Sequence, residues 1–372
     1  MTYSGSNYRG SASVPPAGGG DGARFAAAAT GGPTRRGLIG SGIGLVASIA
    51  ATGGGVAIWS TANNTNNDLD RPFDLDAIPE DDRPDKRNGA MNLLVIGSDH
   101  RAGADESDAR SDTNIIMHVN EAGSEAYGIS IPRDLWVHIP EYADASNYPE
   151  YTGSNAKFNA AYAWGGVPLT VLTIESLSGV RIDHVVEINF DGLVQVVDAL
   201  GGIKMDIEAA DASGYYDETG VTSIHGDRYF FPKGENFLTG EQALDYVRQR
   251  KQWARGDFAR MQHQQELIKA IMDAALSAGV LTDQGRLRSF IDSTSDAVKV
   301  DTSFNVVATA INLMDLRSDD LVFMTAPNRG TGTENGESVV LYDEENGADL
   351  WAAVADDEVG AWVEANDESE GA

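Results

Sequence analysis

Cysteine is absent from this 372-residue chain. That removes disulfides, thiolate nucleophiles and cysteine-based metal sites together. Basic residues are scarce: 27 Lys and Arg stand against 57 Asp and Glu, for a formal charge of −30. A surface of that sign repels nucleic acid, so no DNA or RNA partner is expected. Familiar catalytic signatures are missing as well. There is no GxSxG nucleophile elbow, no Walker A loop and no HxxxH ligand pair among the six histidines, which argues against serine hydrolases, P-loop NTPases and zinc sites. Apolar residues make up 42% of the chain, an ordinary share for a protein that buries a core.

One long stretch, Gly37 to Trp59, carries no charge at all. At ~1.5 Å per helical residue it is long enough to cross a ~30 Å hydrocarbon layer. Residues 1–36 before it are Gly, Ala, Ser and Pro-rich, hold four arginines against the single Asp21, and read as a disordered tail. Arg35 and Arg36 directly precede the apolar span, and Asp68 and Asp70 follow it. The positive-inside rule then puts the N-terminus in the cytoplasm and everything after Ser60 outside. An uncleaved signal anchor is expected. Thr34-Arg35-Arg36-Gly37-Leu38 also resembles a twin-arginine export signal, and both readings leave the globular part extracytoplasmic.

Residues 60–89 are polar and Asn, Asp and Pro-rich, and read as a linker. Beyond them the period changes. Asn92–Ile96, Asn114–Val119, Ala126–Ile131, Leu135–Ile139, His184–Ile188 and Leu321–Thr325 read as strands. Lys157–Trp164, Pro168–Leu177, Gly192–Leu200, Leu238–Arg250 and Asp257–Ser277 read as helices, and Thr239 with Gln242 forms a capping-box signature. Mixed strands and helices predict an α/β/α sandwich with a mixed central sheet over residues 90–356, preceded by one transmembrane helix. The acidic residues 357–372 are expected to fray.

Against this acidic background one window stands out. Arg248, Arg250, Lys251, Arg255 and Arg260 fall within 13 residues where composition predicts about one cation. Guanidinium groups match phosphate through planar, bidentate hydrogen bonds, so a ligand with adjacent phosphates is one reading. A solvated basic turn between two helices is the other. Asp257, Arg260 and Gln264 share one helix face beside an apolar stripe, as residues lining a cleft do, although Asp257 also suits a helix cap. His263 adjoins that face and is a candidate phosphate contact. Earlier, Asp99 and Arg133 each follow a predicted strand, where ligands bind in open α/β sheets, and Asp112 precedes the next one. Asp99 and Asp112 suit a magnesium ion, which takes one or two carboxylates plus phosphate oxygens and water; each also suits an ordinary loop.

In this order, NLLVIGSDHR (Asn92–Arg101), ARSDTN (Ala109–Asn114), SIPRD (Ser130–Asp134), KFNAAYAWGG (Lys157–Gly166), DHVVEINFDGLVQVVDALGGI (Asp183–Ile203), LTGEQALDYVRQR (Leu238–Arg250) and GDFARMQHQQ (Gly256–Gln265) resemble the LytR-CpsA-Psr family of cell-wall glycopolymer transferases. The resemblance implies a donor carried on polyprenyl pyrophosphate, a peptidoglycan hydroxyl as acceptor, and an apolar pocket for the lipid. It implies Asp99 and Asp112 at a divalent metal, usually magnesium or else manganese. It implies Arg110, Arg133, Arg248 and Arg250 as pyrophosphate ligands, completed by Asp257, Arg260 and Gln264. Asp99 or Asp257 is then the general base. His263 stands where the family often has a second arginine.

Two other functions fit the same residues: a polyprenyl-pyrophosphate phosphatase with water as acceptor, and a membrane-bound lipid-pyrophosphate sensor without turnover. Teichoic acid, capsule, arabinogalactan and secondary wall polysaccharides all remain open as cargo.

Overall fold

The computed structural model describes residues 69–98, 111–143, 151–225, 229–280, 283–295, 297–306, 308–309, 313 and 316–370. The apolar span 37–59, the tail before it, Asp99 and Arg110 lie outside the described residues. Among the described residues no helix is long and apolar enough to cross a membrane.

The fold is mixed α/β. The strands are β1 (Asp70–Phe73), β2 (Met91–Ser98), β3 (Ser111–Val119), β4 (Ala126–Ser130), β5 (Leu135–Ile139), β6 (Ser154–Lys157), β7 (His184–Asn189), β8 (Ile203–Ile207), β9 (Gly220–Thr222), β10 (Phe230–Pro232), β11 (Gly234–Leu238), β12 (Val298–Asp301), β13 (Leu321–Thr325), β14 (Asn328–Glu334) and β15 (Glu337–Tyr342). The helices are α1 (Asn159–Ser178), α2 (Phe190–Ala199), α3 (Gly240–Val247), α4 (Asp257–Ser277), α5 (Gln284–Thr294), α6 (Glu344–Asp356) and α7 (Val359–Glu370).

Seven strands form the main sheet in the order β1-β12-β7-β2-β3-β4-β13. The β2–β7, β4–β13 and β1–β12 pairs are parallel and the other three antiparallel. Alternation along β2 decides what each face buries. Leu94 and Ile96 pack with Ile116, Ile129 and the Leu169, Val171 and Ile174 of α1. Leu93 points the other way, into a cluster with Val300, Leu287 and Ile291 of α5 and Ala275 of α4. Helices therefore cover both faces. A four-stranded sheet, β14-β15-β5-β6, stands beside it. Two antiparallel pairs, β8–β11 and β9–β10, make a second core with α2, α3 and α4 around Tyr246, Trp253 and Phe231.

Helix α1 absorbs two segments that read separately in sequence. Gly165 and Gly166, the latter at φ 61°, break its helical backbone just before Pro168. Pro168 lacks the N–H that an unbroken helix needs, so the chain kinks there. Most of Val167–Leu177 is packed core.

Two ends differ from the expectation. Within the segment read as linker, β1 pairs with β12 and Arg83 is buried against Glu175 of α1, Nη2 to Oε1 2.6 Å, with side-chain exposures of 3% and 1%. The stretch looked solvated because it is charged; most of its charges are exposed, but Arg83 is paired inside. At the other end, residues 359–370 form α7, anchored by the buried Val359, with Trp362 and Val363 packed on the main core.

Candidate active site

Residues distant in sequence meet at a cavity of roughly 290 Å³. Six of the candidates line it: Asp112, Arg133, Arg248, Arg250, Arg260 and Gln264. Asp112 is the second residue of β3. Arg133 follows β4, where Pro132 ends the run; the Arg133 carbonyl accepts from Asn159 N at 3.0 Å, which pins the turn to the start of α1. Arg248 caps the C-terminus of α3, a helix whose N-terminus carries the capping box between Thr239 and Gln242. Arg250, expected on the helix, lies with Lys251 beyond its end. Gly256, at φ 56°, turns the chain into α4, a conformation in which a Cβ would be strained. Asp257, Arg260 and Gln264 then stack along the first turns of α4.

The turn is held from within. Gln249, fully buried between the two arginines, donates to Ser223 Oγ at 2.9 Å and accepts from Ile224 N at 3.2 Å. Gln252 donates to the Gln249 amide oxygen at 2.5 Å. These bonds bring the β9–β10 connection onto the cavity, and Ile224 and His225 line it together with Lys251 and Phe190. The Arg248 guanidinium lies 4.5 Å from the centre of the Phe190 ring, a cation–π contact that fixes its plane.

Two carboxylates organise the cations. Arg133 Nη1 donates to Asp112 Oδ1 at 2.6 Å. Arg260 Nη2 stands 3.0 Å from Asp257 Oδ1, and Arg250 Nη1 stands 3.8 Å from the same atom. Burial pulls the Arg260 guanidinium below its ordinary pKa, with Asp257 opposing. Burial also works against Arg133, but the hydrogen bond and charge of Asp112 outweigh it, so its pKa rises. Arg260 Nε is buried without a hydrogen-bond partner among the described residues. Among the described residues five cationic side chains and one carboxylate, Asp112, line the cavity, an excess of positive charge in an otherwise acidic protein.

Two residues of the sequence window go elsewhere. Arg255 pairs with Glu208 at 2.6 Å and is half-exposed. His263, a candidate phosphate contact in the sequence, has no exposure and packs between Tyr246 and Trp253, ring centroids 4.8 and 4.4 Å away, with Nε2 3.6 Å from Glu208. One helical position from Gln264 is enough to turn it into the second core. Conversely, Phe190, Ile224 and His225 escaped notice. Ile224 and His225 reach the cavity through Gln249, a contact no local pattern announces, whereas Lys251 sits inside the basic run.

Among the described residues no group of three or more acidic or histidine side chains is arranged to hold a metal ion. Asp112, a carboxylate on the cavity lining, is a hard oxygen donor of the kind a cation shared with phosphate takes.

Guanidinium forks match the geometry of adjacent phosphates. The chain belongs to the LytR_cpsA_psr family, whose profile matches residues 55–356. It is 33% identical over 263 residues to the polyisoprenyl-teichoic acid–peptidoglycan teichoic acid transferase TagU of Halalkalibacterium halodurans, covering 68% of this chain and 76% of that one. It is 28% identical over 290 residues to the cell wall biosynthesis protein LcpA of Corynebacterium glutamicum, covering 69% of this chain and 54% of that protein's length. The crystallised TagT bound to LI-WTA superposes with a TM-score of 0.56 at 25% identity, over 75% of this chain and 97% of that one.

Proposed function

We propose that this chain transfers an anionic glycopolymer, of teichoic acid type or similar, from a polyprenyl-pyrophosphate carrier to peptidoglycan. The observation that carries the reading is the convergence of Arg133, Arg248, Arg250, Lys251 and Arg260 on one cavity. Phosphoryl transfer is catalysed chiefly by positioning and by neutralising charge on the phosphate oxygens, and an arginine cluster does both. A hydroxyl oxygen of the acceptor attacks the phosphorus that bears the sugar. The new O–P bond forms as the bridging P–O bond to the polyprenyl phosphate breaks, and that phosphate leaves with the bridging oxygen. Arg133, Arg248, Arg250 and Arg260 together hold the two phosphates.

Asp257 accepts from Arg260 through Oδ2 at 3.1 Å and faces Arg250 across 3.8 Å, which makes it a residue that sets their positions; the proton of the hydroxyl falls to Asp99 or Asp257. Asp112 and Asp99 would hold magnesium or manganese, which when bound screens the pyrophosphate charge. The reading includes an α/β/α sandwich preceded by one transmembrane helix, single-pass, with the catalytic domain outside the membrane. Such an anchor keeps the site beside a lipid confined to the bilayer.

The test is to incubate the full chain with peptidoglycan and a polyprenyl-pyrophosphate glycan carrying a labelled sugar, with magnesium or with chelator. Label fixed to the wall fraction, lost in Arg248→Ala, is expected. Free labelled glycan phosphate instead would mean hydrolysis, and bound but intact lipid would mean a sensor.

A further inference from the structure

Arg255 belongs to the basic run by sequence but does not line the cavity, and its partners lie on two other elements. Glu208 follows β8, and its N–H donates to the Tyr246 hydroxyl at 3.2 Å, which ties its backbone to the second core. Glu208 Oε2 accepts from Arg255 Nη2 at 2.6 Å and lies 3.6 Å from His263 Nε2. Arg255 Nη1 donates to Gln262 Oε1 on α4, and Gln262 Nε2 donates to Glu266 Oε1 at 2.9 Å. One guanidinium thus joins the end of β8 to the second turn of α4. The neighbouring His263, against burial and together with Arg255, holds the Glu208 carboxyl below its ordinary pKa, so it is charged through the neutral range.

This link stands at a joint in the chain. Up to Ala254 the arginine turn is anchored: Trp253 is buried, and the Ala254 N–H donates to Asp211 Oδ1 at 2.7 Å. After Arg255 comes Gly256, at φ 56°, where an added Cβ would meet nothing within 4 Å, and α4 starts from it without a side-chain cap. Asp257 is next. It accepts from Arg260 at 3.1 Å and faces Arg250 across 3.8 Å. Rotation of the backbone at Gly256 would move Asp257 relative to Arg250, and the joint itself offers little packing to oppose it.

We infer that Glu208 and Arg255 are positioning residues for the arginine cavity: their ion pair braces the joint at Gly256 and so keeps Asp257 where it aims Arg250 and Arg260. The inference rests on the reading of that cavity as a phosphate site. It gives an acidic residue a favourable part in binding a polyanion, opposite in sign to its charge. By Coulomb's law alone, removing Glu208 strengthens the positive field and frees a cation, so a polyanion would bind more tightly. A brace predicts weaker binding.

The test is calorimetry of inorganic pyrophosphate with the full chain in detergent, with melting temperatures measured alongside. Glu208→Ala and Arg255→Ala each weaken binding about tenfold, the scale of one charge-assisted hydrogen bond lost. The melting temperature stays near the wild-type value, because so exposed a pair adds little to stability. The double variant Glu208→Arg with Arg255→Glu restores the brace with its charges exchanged and recovers most of the affinity. Binding that is tighter or unchanged in Glu208→Ala, or a double variant as weak as Arg255→Ala, overturns the inference. So does weakened binding that comes only with a large fall in melting temperature, since the pair would then serve the fold at large. Pyrophosphate bound equally by wild type and Arg248→Ala, or by neither, would instead refute the phosphate reading of the cavity and the brace with it.

Discussion

Arg260 exposes 7% of its side chain and stands one helical turn from Asp257, so its charge is held in place by a partner on the same helix. A lysine there keeps the charge but loses the planar fork that meets two phosphate oxygens at once. Arg260→Lys is expected to lower the transfer rate about 100-fold, in the range found for deleting one charge-stabilising donor, with the melting temperature little changed. A near-normal rate would remove Arg260 from the chemistry.

A second residue sets acid tolerance. Burial alone would raise the carboxyl of Asp301, but hydrogen bonds from His184, Ser303 and the Val185 N–H outweigh it and leave its pKa below the ordinary value. The folded state therefore binds the proton less readily than the unfolded chain, whose carboxyl titrates near 3.9. The stabilisation is whole above that pH and is lost as pH falls through the lower folded value. Asp301→Asn should flatten the fall of melting temperature below about pH 4, where the unfolded carboxyl takes up its proton; an unchanged slope contradicts this assignment. The arginines were legible in sequence because they exceed what an acidic composition predicts. His225 was not, since Gln249 draws its loop in from outside the basic run.

At the scale of elements, the site depends on how closely α2 and α3 approach, because Phe190 begins one and Arg248 caps the other. Gly240 makes that approach possible: a Cβ there would lie 2.4 Å from the Val194 carbonyl oxygen and 2.8 Å from its Cα. Both are backbone atoms that cannot swing aside. Gly240→Ala is expected to cost about 1–3 kcal/mol in urea unfolding, as overpacking does, and to weaken pyrophosphate binding with it. Wild-type values for both would show that the helices have slack. Strands β5 and β13 and helix α4 matched the sequence reading at both ends: β5 alternates strictly between core and exterior, and glycines, Gly256 and Gly279, mark the two ends of α4. Strands β14 (NRGTGTE) and β8–β11 were missed: β14 is polar and glycine-containing, and β8–β11 are short strands that find their apolar partners only in the second core.

For the whole molecule, the folded body starts earlier than the change in sequence pattern suggests. A fragment beginning at Ala90 lacks Arg83 and leaves Glu175 as a buried carboxylate without its cation, and it also strips β1 from the sheet edge. Breaking a buried pair from one side costs about 3–5 kcal/mol. The Ala90 fragment should therefore melt well below one beginning at Leu69, and equal melting temperatures would show that residues 69–89 are dispensable.

The central claim is that the arginine cavity passes a glycan phosphate to the wall rather than to water. The most direct measurement follows both halves of the donor at once in the full chain: sugar label fixed to peptidoglycan and polyprenyl monophosphate released. The account predicts one monophosphate per fixed label, with both falling together in Arg133→Ala and Arg260→Ala. Monophosphate released without label on the wall, or label fixed at wild-type rate by both variants, would contradict it.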